Sequence, residues 1–142
     1  MRSLPSLTIL VSLALAGCDA DPVAPMAREY LLVSIGHRPL PAHPSDNLNL
    51  LLAESILTFT SSGRGEERTV TLVRDSDDPA GRLIAATRTF RYQMAENWIE
   101  ITFDCFEPVS CTAPPHLAGR RVGSTLRFDQ TPGRAPYRYQ AR

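Results

Sequence analysis

The chain has 142 residues, and its 15 basic residues balance its 15 acidic residues, so the formal net charge is zero. All of the basic residues are arginines. A protein that neutralises many phosphates usually carries a basic excess, so this balance argues against a nucleic-acid binder. The hydrophobic share of 43% excludes a wholly disordered chain, and the length predicts a single domain.

The first residues have the layout of an export signal. A positive charge at Arg2 precedes an apolar run from Leu7 to Ala16, and small residues then lead to Cys18. This run is too short to span the roughly 30 Å hydrocarbon core as a helix, and no later run approaches the ~20 apolar residues that spanning requires. We therefore expect an exported chain without a transmembrane helix.

The end of this signal, Leu15-Ala16-Gly17-Cys18, resembles the lipobox of bacterial lipoproteins. The resemblance implies that residues 1–17 are a lipoprotein signal peptide and that the Cys18 thiol receives diacylglycerol. We expect stable anchoring by the acyl chains, because each buried methylene contributes about 0.8 kcal/mol. Residues 18–27 then form the lipidated cysteine and a flexible tether. The alternative is an ordinary secretory peptide in which Cys18 merely follows small residues.

The expected location is the cell envelope, with the domain in the periplasm and the acyl chains in a membrane. Asp19 follows the cysteine directly. An aspartate at this position resembles an inner-membrane retention signal, so the sequence leans towards the inner membrane without deciding between the two.

The body of the chain, from Arg28 onward, has the pattern of short β-strands. No convincing helical period is present, and β-branched and aromatic runs recur between turn signals. The predicted strands are 30–35, 55–60, 68–74, 83–94, 98–104, 121–128 and 137–140, with Leu48 to Glu54 open between a helical turn and a strand. The three prolines of His37 to Asp46 predict a loop. Seven or eight strands joined by hairpin-length connections predict an all-β antiparallel barrel or sandwich.

Alternation along the strands predicts which side chains face the core. Val70 and Leu72 share the expected inner face of their strand, opposite Thr69 and Thr71. An apolar face of the long strand 83–94 is interrupted by Arg88. The predicted interior residues are Phe59, Val70, Leu72, Phe90, Tyr92, Ile99, Ile101, Phe103, Leu126 and Phe128.

A family resemblance spans most of residues 28–142. Its first part is Tyr30, Leu32 and Ser34, followed by Gly36 and Pro39-Leu40-Pro41. A hairpin around Arg64 to Val73 comes next, and then Phe90-Arg91-Tyr92 before Asn97-Trp98-Ile99. The last parts are Gly123-Ser124-Thr125-Leu126 and Tyr137-Arg138-Tyr139. These features resemble small bacterial lipocalin-like lipoproteins. The resemblance implies an up-and-down barrel, a class whose better-known members hold apolar ligands in a central cup.

Cys105 and Cys111 are expected to form a disulfide, because thiols are oxidised by default in exported proteins and lipid already accounts for Cys18. A zinc site with His116 as a third ligand is the alternative, although a fourth ligand and a recognised spacing are missing. The Cys-x-x-Cys spacing of redox-active pairs is also missing.

Other polar residues support weaker hypotheses. His37 and His43 flank the proline-rich loop and favour solvation over metal binding. The Asp75, Asp77 and Asp78 carboxylates lack the glycine and later glutamate of a calcium loop, so we predict no metal site.

The sequence also predicts no enzyme. Trp98, Glu100, Thr102 and Asp104 share a face that a glycosidase site would resemble, but alternation alone produces such a face. Nucleophile-elbow, phosphate-loop and dinucleotide motifs are missing, and no cofactor is expected. Arg88, Arg91, Arg120 and Arg121 are candidates for contact with anionic groups, with an ordinary charged surface as the alternative.

Two function hypotheses follow. In the first, the barrel carries an apolar small molecule in its interior. The predicted contacts to this ligand are Phe59, Phe90, Tyr92, Ile101, Phe103 and Leu126. In the second, a filled barrel binds another envelope component through the Pro39 to Pro44 and Cys105 to Cys111 loops, because function tends to lie on loops above a rigid scaffold.

Overall fold

The computed structural model describes residue 26, residues 28–105, residues 115–130 and residues 134–142. These described residues form nine β-strands and no helix: β1 (Glu29–Ile35), β2 (Arg38–Pro39), β3 (Leu50–Phe59), β4 (Arg64–Val73), β5 (Arg82–Ala95), β6 (Trp98–Phe103), β7 (His116–Val122), β8 (Thr125–Phe128) and β9 (Tyr137–Ala141). A helix able to cross a membrane is accordingly not found among them.

Eight of these strands close into an antiparallel barrel. From β3 to β9 each strand pairs with the next along the chain, while β1 pairs with both β3 and β9. The closing register runs from Tyr30↔Ala141 to Ile35↔Tyr137. The short β2 folds back on the end of β1, outside the closed ring. The predicted all-β, up-and-down barrel is confirmed, and its architecture is consistent with a lipocalin-like fold.

Two stretches differ from the sequence prediction. The ambiguous stretch from Leu48 to Glu54 contributes to a strand, since β3 begins at Leu50. The single predicted strand 121–128 is wrong, because Gly123 adopts a positive φ of 59° and turns β7 into β8. A left-handed backbone of this kind suits glycine, which has no Cβ to clash.

The barrel has two unlike ends. At one end, which we call the closed end, short turns join β3 to β4, β5 to β6 and β7 to β8. The start of β1 and the end of β9 also meet there, since the Arg142 N–H donates to the Glu29 carbonyl oxygen at 3.0 Å. The opposite end, the loop end, carries the longer connections 40–49, 74–81, 104–115 and 129–136.

The interior is apolar along most of its length. Its buried core cluster consists of Tyr30, Leu32, Ile35, Ala42, Leu52, Leu57, Phe59, Phe90, Ile99, Ile101, Phe103, Leu117, Leu126, Phe128 and Tyr139. The predicted inner positions Val70 and Leu72 are wrong: Gly65 and Glu67 are the buried residues of β4, and both valine and leucine lie on the opposite face. Alternation gave the period of this strand but not which face turns inward.

Two glycines allow close approach inside the wall. A Cβ on Gly65 would overlap the Phe90 ring and the Thr58 carbonyl oxygen. A Cβ on Gly119 would overlap the backbone of Arg127 on β8. Side chains at these two positions would therefore displace either a core ring or a neighbouring strand.

Candidate functional site

The six predicted ligand-contacting residues do come together inside the barrel. Five of them, Phe59, Phe90, Ile101, Phe103 and Leu126, are at most 5% exposed and belong to one core cluster. Tyr92 is half-buried against that cluster and donates its hydroxyl to the Thr60 carbonyl oxygen at 2.6 Å. These residues meet as packing partners, so each occupies the space that a ligand would need beside the others.

Aromatic rings cross the interior in a continuous series. The ring centroids of Tyr30 and Phe59 lie 5.7 Å apart, those of Phe59 and Phe90 5.3 Å, and those of Phe90 and Phe103 5.7 Å. All three contacts are edge-to-face, an arrangement that contributes about 0.5–1.5 kcal/mol beyond burial. The rings therefore fill and stiffen the barrel from the closed end towards the loop end.

A buried polar cluster lies beside these rings. The Ser55 hydroxyl donates to Glu67 Oε1 at 2.8 Å, and the Tyr139 hydroxyl donates to the same oxygen at 3.3 Å. The two hydroxyl oxygens are themselves 3.0 Å apart. Glu67 is only 3% exposed, so its charge requires such partners to be tolerated in the interior.

Arg88 completes this cluster from β5. Its Nε donates to Glu67 Oε2 at 2.5 Å, so both carboxylate oxygens are engaged. The guanidinium also lies over the Phe103 ring, 3.5 Å from its centroid, as in a cation–π contact. The arginine that interrupts the apolar face of the sequence is thus an interior residue with a matched carboxylate on the neighbouring strand.

Burial changes the acidity of the tyrosines beside this cluster. Desolvation raises the pKa of Tyr139 well above its ordinary value of 10.0, and the Glu67 charge raises it further. Desolvation also raises the pKa of Tyr137, against the opposing effect of Arg134. Both phenols therefore remain protonated at neutral pH, and the Tyr139 hydroxyl donates to Glu67.

This arrangement suits a structural role better than acid–base chemistry. A general base needs a carboxylate oxygen free to reach a substrate proton. In Glu67 both oxygens already accept bonds from Ser55, Tyr139 and Arg88. Sequence reasoning missed this cluster, although Arg88 on an apolar face was a signal of a buried partner.

The polar residues singled out in the loops have local partners. The His43 Nδ1 atom lies 2.7 Å from the Leu50 carbonyl oxygen, while His37 is exposed. The Asp75 carboxylate accepts the backbone N–H groups of Asp77 and Asp78 at 2.9 and 2.7 Å, as in an Asx turn. Across the described ranges, no group of three or more potential ligands could hold a metal ion.

The proline-rich loop is built into the fold. Ala42 is buried and forms an isolated bridge with Leu52, with backbone bonds of 3.0 and 2.8 Å. Leu40 packs against the core cluster. The Pro39 to Pro44 segment therefore lies at the loop end as an ordered surface.

The other predicted constellations are separated. Asp104 accepts the Thr89 hydroxyl at 2.6 Å and an Arg64 nitrogen at 3.3 Å, so its carboxylate is engaged beside β4 and β5. Arg120 and Arg121 project from opposite faces of β7. They do not join Arg88, which points into the barrel.

The cysteine predictions fall largely outside the described residues. Cys105 follows β6 within the described range, whereas Cys18 and Cys111 lie outside it. Lipidation of Cys18 and the Cys105–Cys111 pairing thus stay predictions. His116, the third ligand of the alternative zinc site, begins β7.

Comparisons with protein-family models, with curated proteins and with solved structures found no match to this chain.

Proposed function

We propose that the protein is a lipid-anchored component of the cell envelope whose filled barrel binds another envelope component through its loop end. The observation that carries this proposal is the packing of the interior, where the five most buried candidate residues are at most 5% exposed. A barrel filled by its own side chains has its outer surface and loops left for recognition. Among the two function hypotheses, this packing favours the interaction protein over the carrier.

The orientation of the barrel supports this proposal. The strand β1 starts at the closed end, eleven residues after Cys18. A tether of this length reaches at most about 35 Å when fully extended. An acyl anchor on Cys18 would therefore hold the closed end towards the membrane and direct the loop end away from it.

Exposed apolar side chains also lie towards the loop end. Leu48 is 71% exposed in the connection before β3, and Leu83 is 68% exposed near the start of β5. Single exposed leucines are ordinary, but here two accompany the ordered Pro39 to Pro44 segment. Together they form a candidate contact surface.

The anchor is tested by Cys18→Ser in the full chain. Loss of the thiol removes the acceptor for diacylglycerol, so the protein should move from the membrane fraction to the soluble fraction. Its persistence in the membrane fraction after a carbonate wash would show that the lipobox interpretation is wrong.

We also propose that Cys105 and Cys111 form a disulfide in the oxidising envelope. A ring this small stabilises by roughly 2 kcal/mol before strain is subtracted. Cys105→Ala should lower the melting temperature under oxidising conditions. An unchanged melting temperature, or an intact mass without the loss of two hydrogens, would contradict the pairing.

The interaction itself is tested by photo-crosslinking in cells. A photoreactive side chain replaces Leu48 or Leu83 at the loop end and, as a matched control, Ser62 or Glu96 at the closed end. We expect a discrete crosslinked product from the loop-end positions alone. No product, or the same product from the closed end, would contradict the proposal. A small molecule that co-purifies and leaves on denaturation would instead support the carrier.

A further inference from the structure

The neutral net charge conceals a strong separation of charge along the chain. Residues 28–105 contain eight arginines and eleven acidic residues. Residues 115–142, which supply β7, β8 and β9, contain six arginines and one acidic residue, Asp129. One sector of the barrel wall is therefore basic although the protein as a whole is not.

The strand register lines up three of these arginines across the outer wall. Arg120 on β7 pairs with Arg127 on β8, which in turn pairs with Arg138 on β9. All three are exposed. Adjacent strands lie about 4.8 Å apart, so we call this row the arginine ladder. Like charges directly opposite each other destabilise a sheet, and a bound anion would relieve that cost.

Among the described residues, two of the three ladder arginines lack the acidic partner that Arg64 and Arg91 share on the opposite wall. Arg64 and Arg91 both contact Asp104, at 3.3 and 3.8 Å. In the ladder, Arg127 has a comparable partner, because its Nη2 lies 3.9 Å from Asp129 Oδ2. Within the described residues, the other two ladder arginines take part in no ion pair.

A groove of about 780 Å³ runs along the same face. Arg127 and Arg138 are its charged lining residues, and no carboxylate lines it. The apolar part of the lining consists of Val33, Pro39, Val122 and Pro136. The groove thus combines two adjacent guanidinium groups with flat apolar surface.

We propose that this groove binds an anionic glycan, a sugar chain carrying carboxylate groups. Guanidinium forks suit carboxylates through paired, charge-assisted hydrogen bonds, and proline and valine contact the C–H faces of sugar rings. An extended peptide fits less well, because β8, β9 and β1 are each paired on both sides and offer no free edge. A planar lipid surface does not enter a groove.

The site goes beyond the proposed function, because its charged residues lie on the outer wall of β8 and β9 and it shares only Pro39 with the loop-end contact surface. Its test does not require membrane anchoring or a loop-end partner. Failure of either proposal therefore leaves the other standing.

The test is calorimetric titration of the protein, purified from cells in a non-ionic detergent, with a galacturonate hexamer at physiological salt. The double variant Arg127→Gln with Arg138→Gln should bind roughly tenfold more weakly or worse, because two charge-assisted contacts are lost. Its melting temperature should not fall, since a like-charge contact is removed with them. The matched control, Arg64→Gln with Arg91→Gln on the opposite wall, should bind as the native protein does.

Three further probes decide the chemistry. The methyl-esterified hexamer keeps the sugar and loses the charge, so it should not bind. Polyphosphate of similar length supplies charge without sugar, and binding as tight as that of the hexamer would overturn the glycan assignment. Adsorption to phosphatidylglycerol vesicles that displaces the hexamer would also overturn it, as would the absence of hexamer binding to the native protein.

Discussion

Two parts of the barrel interior are stabilised in different ways. One part holds edge-to-face rings, represented by Tyr30, Phe59 and Phe90. The other holds a carboxylate, a guanidinium and two hydroxyl groups around Glu67. Apolar packing tolerates small changes of shape at modest cost, whereas a buried charge depends on every one of its partners. The difference teaches that one barrel interior can be held in part by aromatic packing and in part by hydrogen bonds to a buried charge.

The largest loss in the free energy of unfolding should follow from removing one of the buried aromatic rings. Phe90→Ala removes a fully buried ring that contacts Phe59 and Phe103 edge-to-face. We expect a loss of about 3–5 kcal/mol in the free energy of unfolding, from lost burial and the cavity left behind. Urea unfolding measures it. A loss below about 1 kcal/mol would mean that the interior is loosely filled and would revive the carrier hypothesis.

Substitutions in the polar cluster should lower the stability nearly as much, because a charge would lose its partner. Glu67→Ala leaves the partly buried Arg88 without its carboxylate, with an expected loss of about 3 kcal/mol. The double variant Glu67→Leu with Arg88→Leu removes both charges and should be less destabilised than the single variant. The Ser55 and Tyr139 hydroxyls still bond to each other there. Equal losses in the single and double variants would show that the ion pair is not what matters.

Alkaline pH should weaken the polar cluster in particular. The pKa of Tyr139 is raised above 10.0 in the folded state by burial, so the folded protein keeps a proton that the unfolded chain releases. Stability that is present below about pH 10 is therefore lost as the pH rises towards the folded pKa, by up to about 1.4 kcal/mol per pH unit for each such phenol. The chain has no lysine to titrate in the same range.

Tyr139→Phe tests this assignment. The variant should be less stable at neutral pH but should show a shallower decline in melting temperature at alkaline pH than the native protein. Tyr137 also has a raised pKa, so some decline should remain. Parallel declines in variant and native protein would place the titrating group elsewhere.

The smallest change in the free energy of unfolding should follow from breaking an exposed ion pair on the outer wall. Glu54→Gln breaks an exposed pair in which Arg68 Nη2 lies 2.6 Å from Glu54 Oε1. Exposed pairs of this kind contribute little, so we expect a change within about 0.5 kcal/mol. This variant supplies the baseline for the interior comparison. A loss as large as that of Glu67→Ala would show that burial does not separate the two pairs.

Much of the fold was predictable because strand formation depends on local pattern. The alternation of Ile99, Ile101 and Phe103 predicted the inner face of β6, and all three residues are buried. The predicted strands 83–94 and 98–104 leave only three residues between them, which requires a tight turn, and the positive φ of Glu96 lies there. In β4, by contrast, apolar side chains fall on the outer face, so the pattern pointed the wrong way.

The ionic interior and the arginine ladder could not be read from the chain. Glu67 and Arg88 are 21 residues apart and meet only through the register of β4 and β5. The three ladder arginines align only because β7, β8 and β9 pair as they do. The net charge of the whole chain is zero, so it does not reveal a basic wall of this kind.

The sequence by itself determined most of the strands, several of their turns and the apolar composition of the interior, because these depend on near neighbours and on side-chain period. The tertiary structure alone decided that the interior is filled, that a carboxylate and a guanidinium are buried together, and that arginines share one wall. Each of these depends on the register between strands, which is set by long-range pairing. A shift of one residue in register would turn every side chain of a strand to the opposite face.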